Sequence, residues 1–276
     1  MSGTLFVVAT PIGNLEDMSP RARQTLAEVD LIAAEDTRHT GRLLSHFGLK
    51  KPLIALHDHN EEVLARELVA KLLAGRSIAL VSDAGTPLLS DPGYRLVNAA
   101  HTEGVRVSPV PGPAALVAAI SAAGLPTDRF CFEGFLPAKK KARTAALAAL
   151  KSESRTMIFY ESVHRIAPGI DDLCHAFGAD RQAFLGRELT KLHEQCVAGT
   201  LGELRRRIEE GSIVGKGEFV LVVGGAPADA ESPIDSDHLL TELAQVLPGK
   251  DAARIASRVT GEKRNVLYRR LLELTR

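Results

Sequence analysis

Tryptophan is absent from this 276-residue chain, and aromatic side chains make up only 4% of it. Aliphatic packing must therefore build the core. Cysteine is scarce. Cys131, Cys174 and Cys196 are far apart, form no Cys-x-x-Cys pair and are odd in number, which argues against a disulfide framework. They read as reduced thiols in a cytoplasmic protein. Neither sign of charge predominates, with 34 Lys plus Arg against 34 Asp plus Glu, so any nucleic-acid surface has to be local. No apolar run approaches membrane-spanning length. The run Leu5 to Ala9 has no basic residue before it, so a strand is expected there rather than a signal peptide. Asn-x-Ser/Thr acceptors are missing. Gly-x-Gly-x-x-Gly, the P-loop pattern and His-Glu-x-x-His are missing too, which leaves a dinucleotide fold, a P-loop and a zinc-binding helix of that type unsupported. His57 and His59 flank Asp58, but spacing fixes no third ligand and no metal is expected.

What is present is a regular alternation. Apolar runs at Leu5 to Ala9, Leu31 to Ala34, Leu53 to Leu56, Ile78 to Val81 and Val105 to Val110 read as strands. Helical patterns near Pro20 to Val29, Thr37 to Phe47, Glu61 to Leu73 and Tyr94 to Thr102 separate them. Such a repeat predicts an α/β protein with a mainly parallel sheet under helices. The Pro/Gly stretch Pro109 to Pro113 breaks the pattern. We therefore expect an N-terminal α/β domain over 1–112 and a second α/β domain over 113–226. In the second, longer connections suggest a mixed sheet. Gly224 to Pro233 reads as a linker. A small helical, helix-turn-helix-like tail is expected over 234–276, with Gly261 in its last turn. From Lys250 onward eight bases face three acids. That basic tail is either a solvated helical pair or a phosphate-contacting module.

Parallel strands gather the loops after Ala9, Ala34, Val81 and Val110 at one edge of the sheet, where open α/β folds hold ligands. The richest of these is Ser82 to Gly93, with Gly85 and Gly93 for close backbone approach and Pro87 and Pro92 for stiffness. Two further clusters, Tyr160 to Arg165 and Gly186 to Glu194, crowd acids and bases beside strand ends. They either tune one another's pKa around a substrate or form ion pairs that tie the domain together.

The motifs Ala9-Thr10-Pro11-Ile12-Gly13-Asn14-Leu15, Ala33-Ala34-Glu35-Asp36-Thr37-Arg38-His39-Thr40, Leu56-His57-Asp58-His59-Asn60-Glu61 and Ser82-Asp83-Ala84-Gly85-Thr86-Pro87 carry a family resemblance. So do Pro111-Gly112-Pro113, Phe135-Leu136-Pro137, Phe159-Tyr160-Glu161-Ser162 and Arg187-Glu188-Leu189-Thr190-Lys191. Together they span nearly the whole chain, which resembles the tetrapyrrole methylase superfamily of S-adenosylmethionine-dependent methyltransferases. Thr86 stands where many members carry an acid, and Ala114 and Ala115 where tetrapyrrole-modifying members carry Ser. These departures favour the RNA-modifying branch over a precorrin-type small-molecule methyltransferase. The resemblance implies two α/β domains with S-adenosyl-L-methionine between them, usually in a homodimer. It also implies methyl transfer to the 2'-hydroxyl of a cytidine ribose in the decoding region of 16S rRNA in the small ribosomal subunit. Carried onto this sequence, the donor contacts are expected at Pro11, Ser82, Asp83, Ala84, Gly85, Pro87, Leu88, Gly112, Ala114, Ala115 and Tyr160. A sulfonium donor calls for carbonyl oxygens and carboxylates rather than a basic cradle. Asp36, Asp83, Glu188 and Lys191 are the candidates for the base that deprotonates the hydroxyl, or for its orienting partners. Lys191 serves as a base only with a depressed pKa. RNA phosphates would meet Arg38, Lys139, Lys140, Lys141, Arg143 and the tail bases. A tetrapyrrole methyltransferase would have no use for that tail, and an assembly factor without enzymatic activity would have no use for the Gly/Pro cleft.

Overall fold

Five short apolar runs pair side by side to make the first sheet. A computed structural model describes residues 2–227 and 236–274. The strands are β1 (Thr4–Val8), β2 (Leu31–Ala34), β3 (Leu53–Ala55), β4 (Ile78–Val81) and β5 (Arg106–Val110), in the order β3-β2-β4-β1-β5. Every pairing is parallel. All four β4 residues are buried, as expected of a central strand covered on both faces. One face packs on α3 (Glu61–Leu73) and α4 (Tyr94–Thr102), through Leu5, Leu68, Leu72, Leu80 and Leu96. The other packs on α1 (Pro20–Glu28) and α2 (Thr37–His46), through Val8, Leu26, Ile32 and Leu44. Local chemistry sets the helix starts. Ser19 caps α1 ahead of Pro20, and Asp36 caps α2 by accepting from the amides of Arg38 and His39.

A small-residue helix, α5 (Ala115–Ala122), leads into the second half of the chain. There α6 (Lys140–Ala149), α7 (Ile166–Phe177) and α8 (Leu201–Glu209) alternate with β6 (Phe130–Phe135), β7 (Thr156–Ser162), β8 (Gln182–Arg187), β9 (Gln195–Thr200) and β10 (Glu218–Val223). The strand order is β6-β7-β10-β8-β9. Only β6 and β7 are parallel, so this sheet is mixed. Leu116, Ala119 and Ile120 of α5 pack on Ile158, Phe184, Val220 and Val222 of this sheet, in a cluster that also takes in Ile12 and Leu189.

Residues up to Ala148 together with Arg155–Gly224 form one compact unit holding both sheets. Ala149–Ser154 and the chain from Gly225 onward form the second unit. It contains α9 (Ser236–Val246), α10 (Gly249–Thr260) and α11 (Arg264–Leu274). Ala252, Ala253 and Ala256 of α10 present a small-residue face to Leu240, Leu267 and Leu271. Gly261 ends α10 in the left-handed region at φ 76°, which makes the turn into α11. Most of the expected linker, 228–233, lies outside the described residues. No described helix is long and apolar enough to cross a membrane.

Candidate active site

The loops at the carboxyl edge of the first sheet are bonded to one another. Thr10 and Gly85 exchange backbone hydrogen bonds of 2.8 and 3.1 Å. Gly85 sits at φ 85°, and a Cβ there would lie 3.2 Å from the Ile12 side chain. The Thr86 hydroxyl donates to the Pro113 carbonyl at 2.9 Å, tying the Gly85 loop to the turn before α5. The Asp83 amide donates to Glu35 Oε2 at 3.2 Å, and the Asp36 amide donates to Asp83 Oδ1 at 3.0 Å. Two residues without the freedom of glycine, Leu88 and Ser90, hold positive φ in this loop. Such strain persists only where surrounding contacts over-determine the backbone. Glu61 supplies one such anchor. Its Oε1, on a side chain that is nearly fully buried, accepts the amides of Gly93, Arg95 and Leu96 at 3.0, 2.7 and 3.3 Å. It thereby takes up free N–H groups at the start of α4.

A cavity of about 360 Å³ opens between these loops and the second sheet. Its apolar wall comes from Ile12, Leu89, Ala114, Ala115, Leu189 and Val220. Glu35, Asp83, Asp91, Glu161 and Glu218 contribute carboxylates, and Phe135 and Tyr160 contribute rings. Among the described residues, no lysine or arginine is on the wall. Burial raises the Asp91 pKa to about 6. The Ser82 hydroxyl opposes the shift, and the Glu35 and Asp83 charges add to it. Burial also raises Glu35, helped by Asp83, Asp58 and Asp36 and opposed by the Asp83 amide. Glu161 is raised by burial as well, against the Ser162 amide and Arg165. One of its oxygens has no hydrogen-bond partner.

Of the residues expected to hold a donor, Asp83, Ala84, Gly85, Ala114, Ala115 and Tyr160 line the cavity. Pro11, Ser82, Pro87, Leu88 and Gly112 are absent from its lining and belong to the loops that frame it. Asp36 is likewise off the wall. It caps α2 and pairs with Arg38 at 2.9 Å, and hydrogen bonds from Arg38 hold its carboxyl well below the usual aspartate range. Lys191 lies against Gly13 and pairs with Glu188 at 3.0 Å and Glu218 at 2.9 Å. Burial works to lower its pKa, but the two carboxylates outweigh burial and leave it above the ordinary lysine value. Burial likewise tends to raise Glu188, while the Glu218 amide and Lys191 bring it below the ordinary value.

The two ionisable clusters of the second half resolve largely into ties. Arg165 bonds Glu161, Ser162 and the Leu136 carbonyl. Arg187 reaches the carbonyls of Lys216 and His193. Arg143, expected to meet RNA, is buried against Asp172 and the carbonyls of Pro137 and Ala138, so it is unavailable for that. Glu35, Asp91, Phe135 and Glu161 line the cavity but are not among the site residues expected from sequence; Asp91 lies in the Ser82 to Gly93 loop and the other three in the family motifs. Their chemistry depends on neighbours far along the chain.

Residues 4–205 match the family Tetrapyrrole (Corrin/Porphyrin) Methylases, and residues 230–275 match the RsmI C-terminal HTH domain. The chain is 53% identical to ribosomal RNA small subunit methyltransferase I of Escherichia coli O157:H7, covering 98% of this chain and 95% of that one. It is 52% identical to the protein of the same name from Xylella fastidiosa strain Temecula1, over 96% and 98% of the two chains. The chain belongs to the tetrapyrrole methylase family, in its ribosomal RNA small subunit methyltransferase I branch. Among solved structures, the fold matches a Thermus thermophilus uroporphyrin-III C-methyltransferase complexed with S-adenyl homocysteine. That match has a TM-score of 0.55 and 18% identity, and covers 80% of this chain and 97% of the other.

As a tetrapyrrole methylase, the chain is a methyltransferase with S-adenosylmethionine as donor. Its cavity fits that group on two counts. Its volume falls within the small-molecule range of about 300–1,000 Å³. A wall with five carboxylates, of which Glu161 and Glu218 are paired with Arg165 and Lys191, and with no basic side chain among the described residues also suits a sulfonium better than a phosphate.

Proposed function

We propose that this methyltransferase modifies the 2'-hydroxyl of a cytidine ribose in the decoding region of 16S rRNA. The observation that carries this reading is the extent of the likeness. The match, 53% identical overall, spans 98% of the chain and so takes in both the α/β core and the C-terminal helices, to a relative named for small-subunit rRNA. S-adenosylmethionine, when bound, supplies an electrophilic methyl on a sulfonium. The chain's own residues do the rest. Asp83, Ala84, Gly85, Ala114, Ala115 and Tyr160 form the donor pocket, framed by Pro11, Ser82, Pro87, Leu88 and Gly112. Tyr160 fixes its ring by accepting the Leu116 amide at 3.2 Å. Asp91 and Glu35 are stronger proton acceptors than the paired Glu188 and Asp36, because burial raises the former pair and hydrogen bonds lower the latter. Lys191 stays protonated and orients Glu188 and Glu218 at the rim.

Phosphate contacts come from Lys139, Lys140 and Lys141, all exposed at the start of α6, and from the tail. On α10, Lys250, Arg254 and Arg258 recur every four residues and all are exposed, which places them on one face of the helix. The enzyme acts in the cytoplasm as a homodimer in this reading. Labelled donor and unmethylated small ribosomal subunits test it. 2'-O-methylcytidine should appear in the digested RNA. Label in a porphyrinoid, with none in RNA, would sink the reading in favour of a tetrapyrrole substrate.

A further inference from the structure

One aromatic ring stands apart from the rest. The largest phenylalanines of the core, Phe159, Phe184 and Phe219, are at most 2% exposed. Phe135 is 51% exposed, yet it lines the cavity. Its ring meets Tyr160 edge-on at 5.5 Å, and Tyr160 meets Phe132 the same way at 4.8 Å. In a chain with no tryptophan and few aromatics, a row of three edge-on rings ending in a half-exposed phenylalanine at the mouth of a ligand cavity calls for a cause.

The cause lies in the register of β6. Phe132 is opposite Ile158 and Phe135 is opposite Tyr160, so three steps along β6 match two along β7. The extra residue is Glu133, and the slip falls between Phe132 and Gly134. Side chains alternate across a strand, so residues three apart on a regular strand face opposite ways. The bulge cancels that alternation and turns both phenylalanines to the face of Tyr160. Bulges of this kind re-aim side chains beside active sites. Gly134 carries the bend at φ 68°, where a Cβ would lie 3.3 Å from Ser90 Oγ, so the bend is packed against the strained Gly85 loop.

We infer that Phe135, braced edge-on by Tyr160, is the platform on which the acceptor nucleobase stacks while its ribose enters the cavity. This rests on the RNA reading above. The cavity, at about 360 Å³, is near the low end for a small-molecule site, so with the donor inside there is room for the acceptor ribose at its mouth but the nucleobase must engage the rim. An unpaired nucleobase offers its π-face to an aromatic ring whatever its sequence context, and such stacking changes affinity by about 5- to 150-fold per base. The two rings cross at 68° rather than lying face to face, so Tyr160 covers at most one face of Phe135, and the side chain is half exposed.

The test compares Phe135→Leu and Phe135→Trp with wild type and with Phe130→Leu. Phe130 is an exposed phenylalanine on the same strand that does not line the cavity. Three quantities are read: kcat/KM on unmethylated small ribosomal subunits, S-adenosylhomocysteine affinity by calorimetry, and oligomeric state by light scattering. Phe135→Leu should lower kcat/KM about 10- to 100-fold, leave S-adenosylhomocysteine affinity within about twofold and leave the oligomer unchanged. Phe135→Trp and Phe130→Leu should stay within about threefold of wild type. The inference is overturned if Phe135→Leu retains full kcat/KM, if it weakens S-adenosylhomocysteine as much as turnover, or if it alters the oligomer. Those last two results would make the ring a donor lid or a subunit contact. A wild-type enzyme inert on subunits overturns the RNA reading itself. An active wild type with an unaffected Phe135→Leu overturns only the stacking role.

Discussion

Replacing Asp91 with asparagine should stabilise the protein while impairing it. In the folded chain burial lifts this carboxyl from 3.8 to about 6. Between those values the unfolded chain has released a proton that the folded chain still holds. The unfolded state is thereby favoured as pH rises, and stability falls through the window from about pH 4 to 6. At pH 8 the ionised Asp91 therefore carries its full penalty. About two pKa units correspond to a ceiling of about 3 kcal/mol, at about 1.4 kcal/mol per unit. The group keeps partial access to water, so screening reduces this to about 1–2 kcal/mol. Urea denaturation of the unliganded protein at pH 8 should show Asp91→Asn more stable than wild type by that amount, with a melting temperature a few degrees higher. Below pH 4 the two proteins should converge, because both then carry a neutral side chain. A destabilised Asp91→Asn at pH 8, or a difference that ignores pH, would refute the reasoning. A gain in stability alongside a loss of turnover is the trade-off expected of a site strained for function.

The same charge arithmetic sets ligand affinity. Wild-type affinity for S-adenosylmethionine should fall as pH drops below about 6, where Asp91 becomes neutral, and calorimetry on Asp91→Asn should find that dependence flattened. Glu61→Ala should cost about 2–3 kcal/mol in urea denaturation, since it strips three amides at the start of α4 of a charged acceptor. Glu61→Gln, which keeps one acceptor oxygen, should lose less. If the two variants are equivalent, the capping role is wrong. Gly85→Ala should cost about 1–2 kcal/mol, because alanine at φ 85° is strained. It should also weaken donor binding, and unchanged stability and affinity would count against the loop geometry. Lys191→Arg keeps a cation between Glu188 and Glu218 and should retain activity within several-fold, whereas Lys191→Met should not. A rate that climbs with pH through the lysine range, and a climb that is lost in Lys191→Met, would instead mark lysine as the base.

Much of the architecture was legible in the chain before folding. The bounds of α3 and α4, and of β2 and β4, coincide with those read from apolar spacing and from the breaks made by Gly, Pro and capping residues. Spacing is a local property, and secondary structure follows it over a few residues. The loops that frame the cavity were legible for the same reason, since Gly and Pro mark them. The family, too, could be read from unbroken motifs.

Only the folded molecule separated the acids. Glu35 and Asp36 are neighbours in sequence, yet Glu35 lines the cavity with a raised pKa while Asp36 caps a helix with a lowered one. Asp91 owes its shift partly to Glu35 and Asp83, and Lys191 stays charged because Glu218 joins Glu188 beside it. Phe135 reaches the cavity through one surplus residue in a strand register, which no periodicity announces. Ionisation and side-chain direction depend on desolvation and on charges brought together through space. The sequence by itself therefore determined which segments meet, and the tertiary structure decided which of their side chains are buried, paired or presented to a ligand.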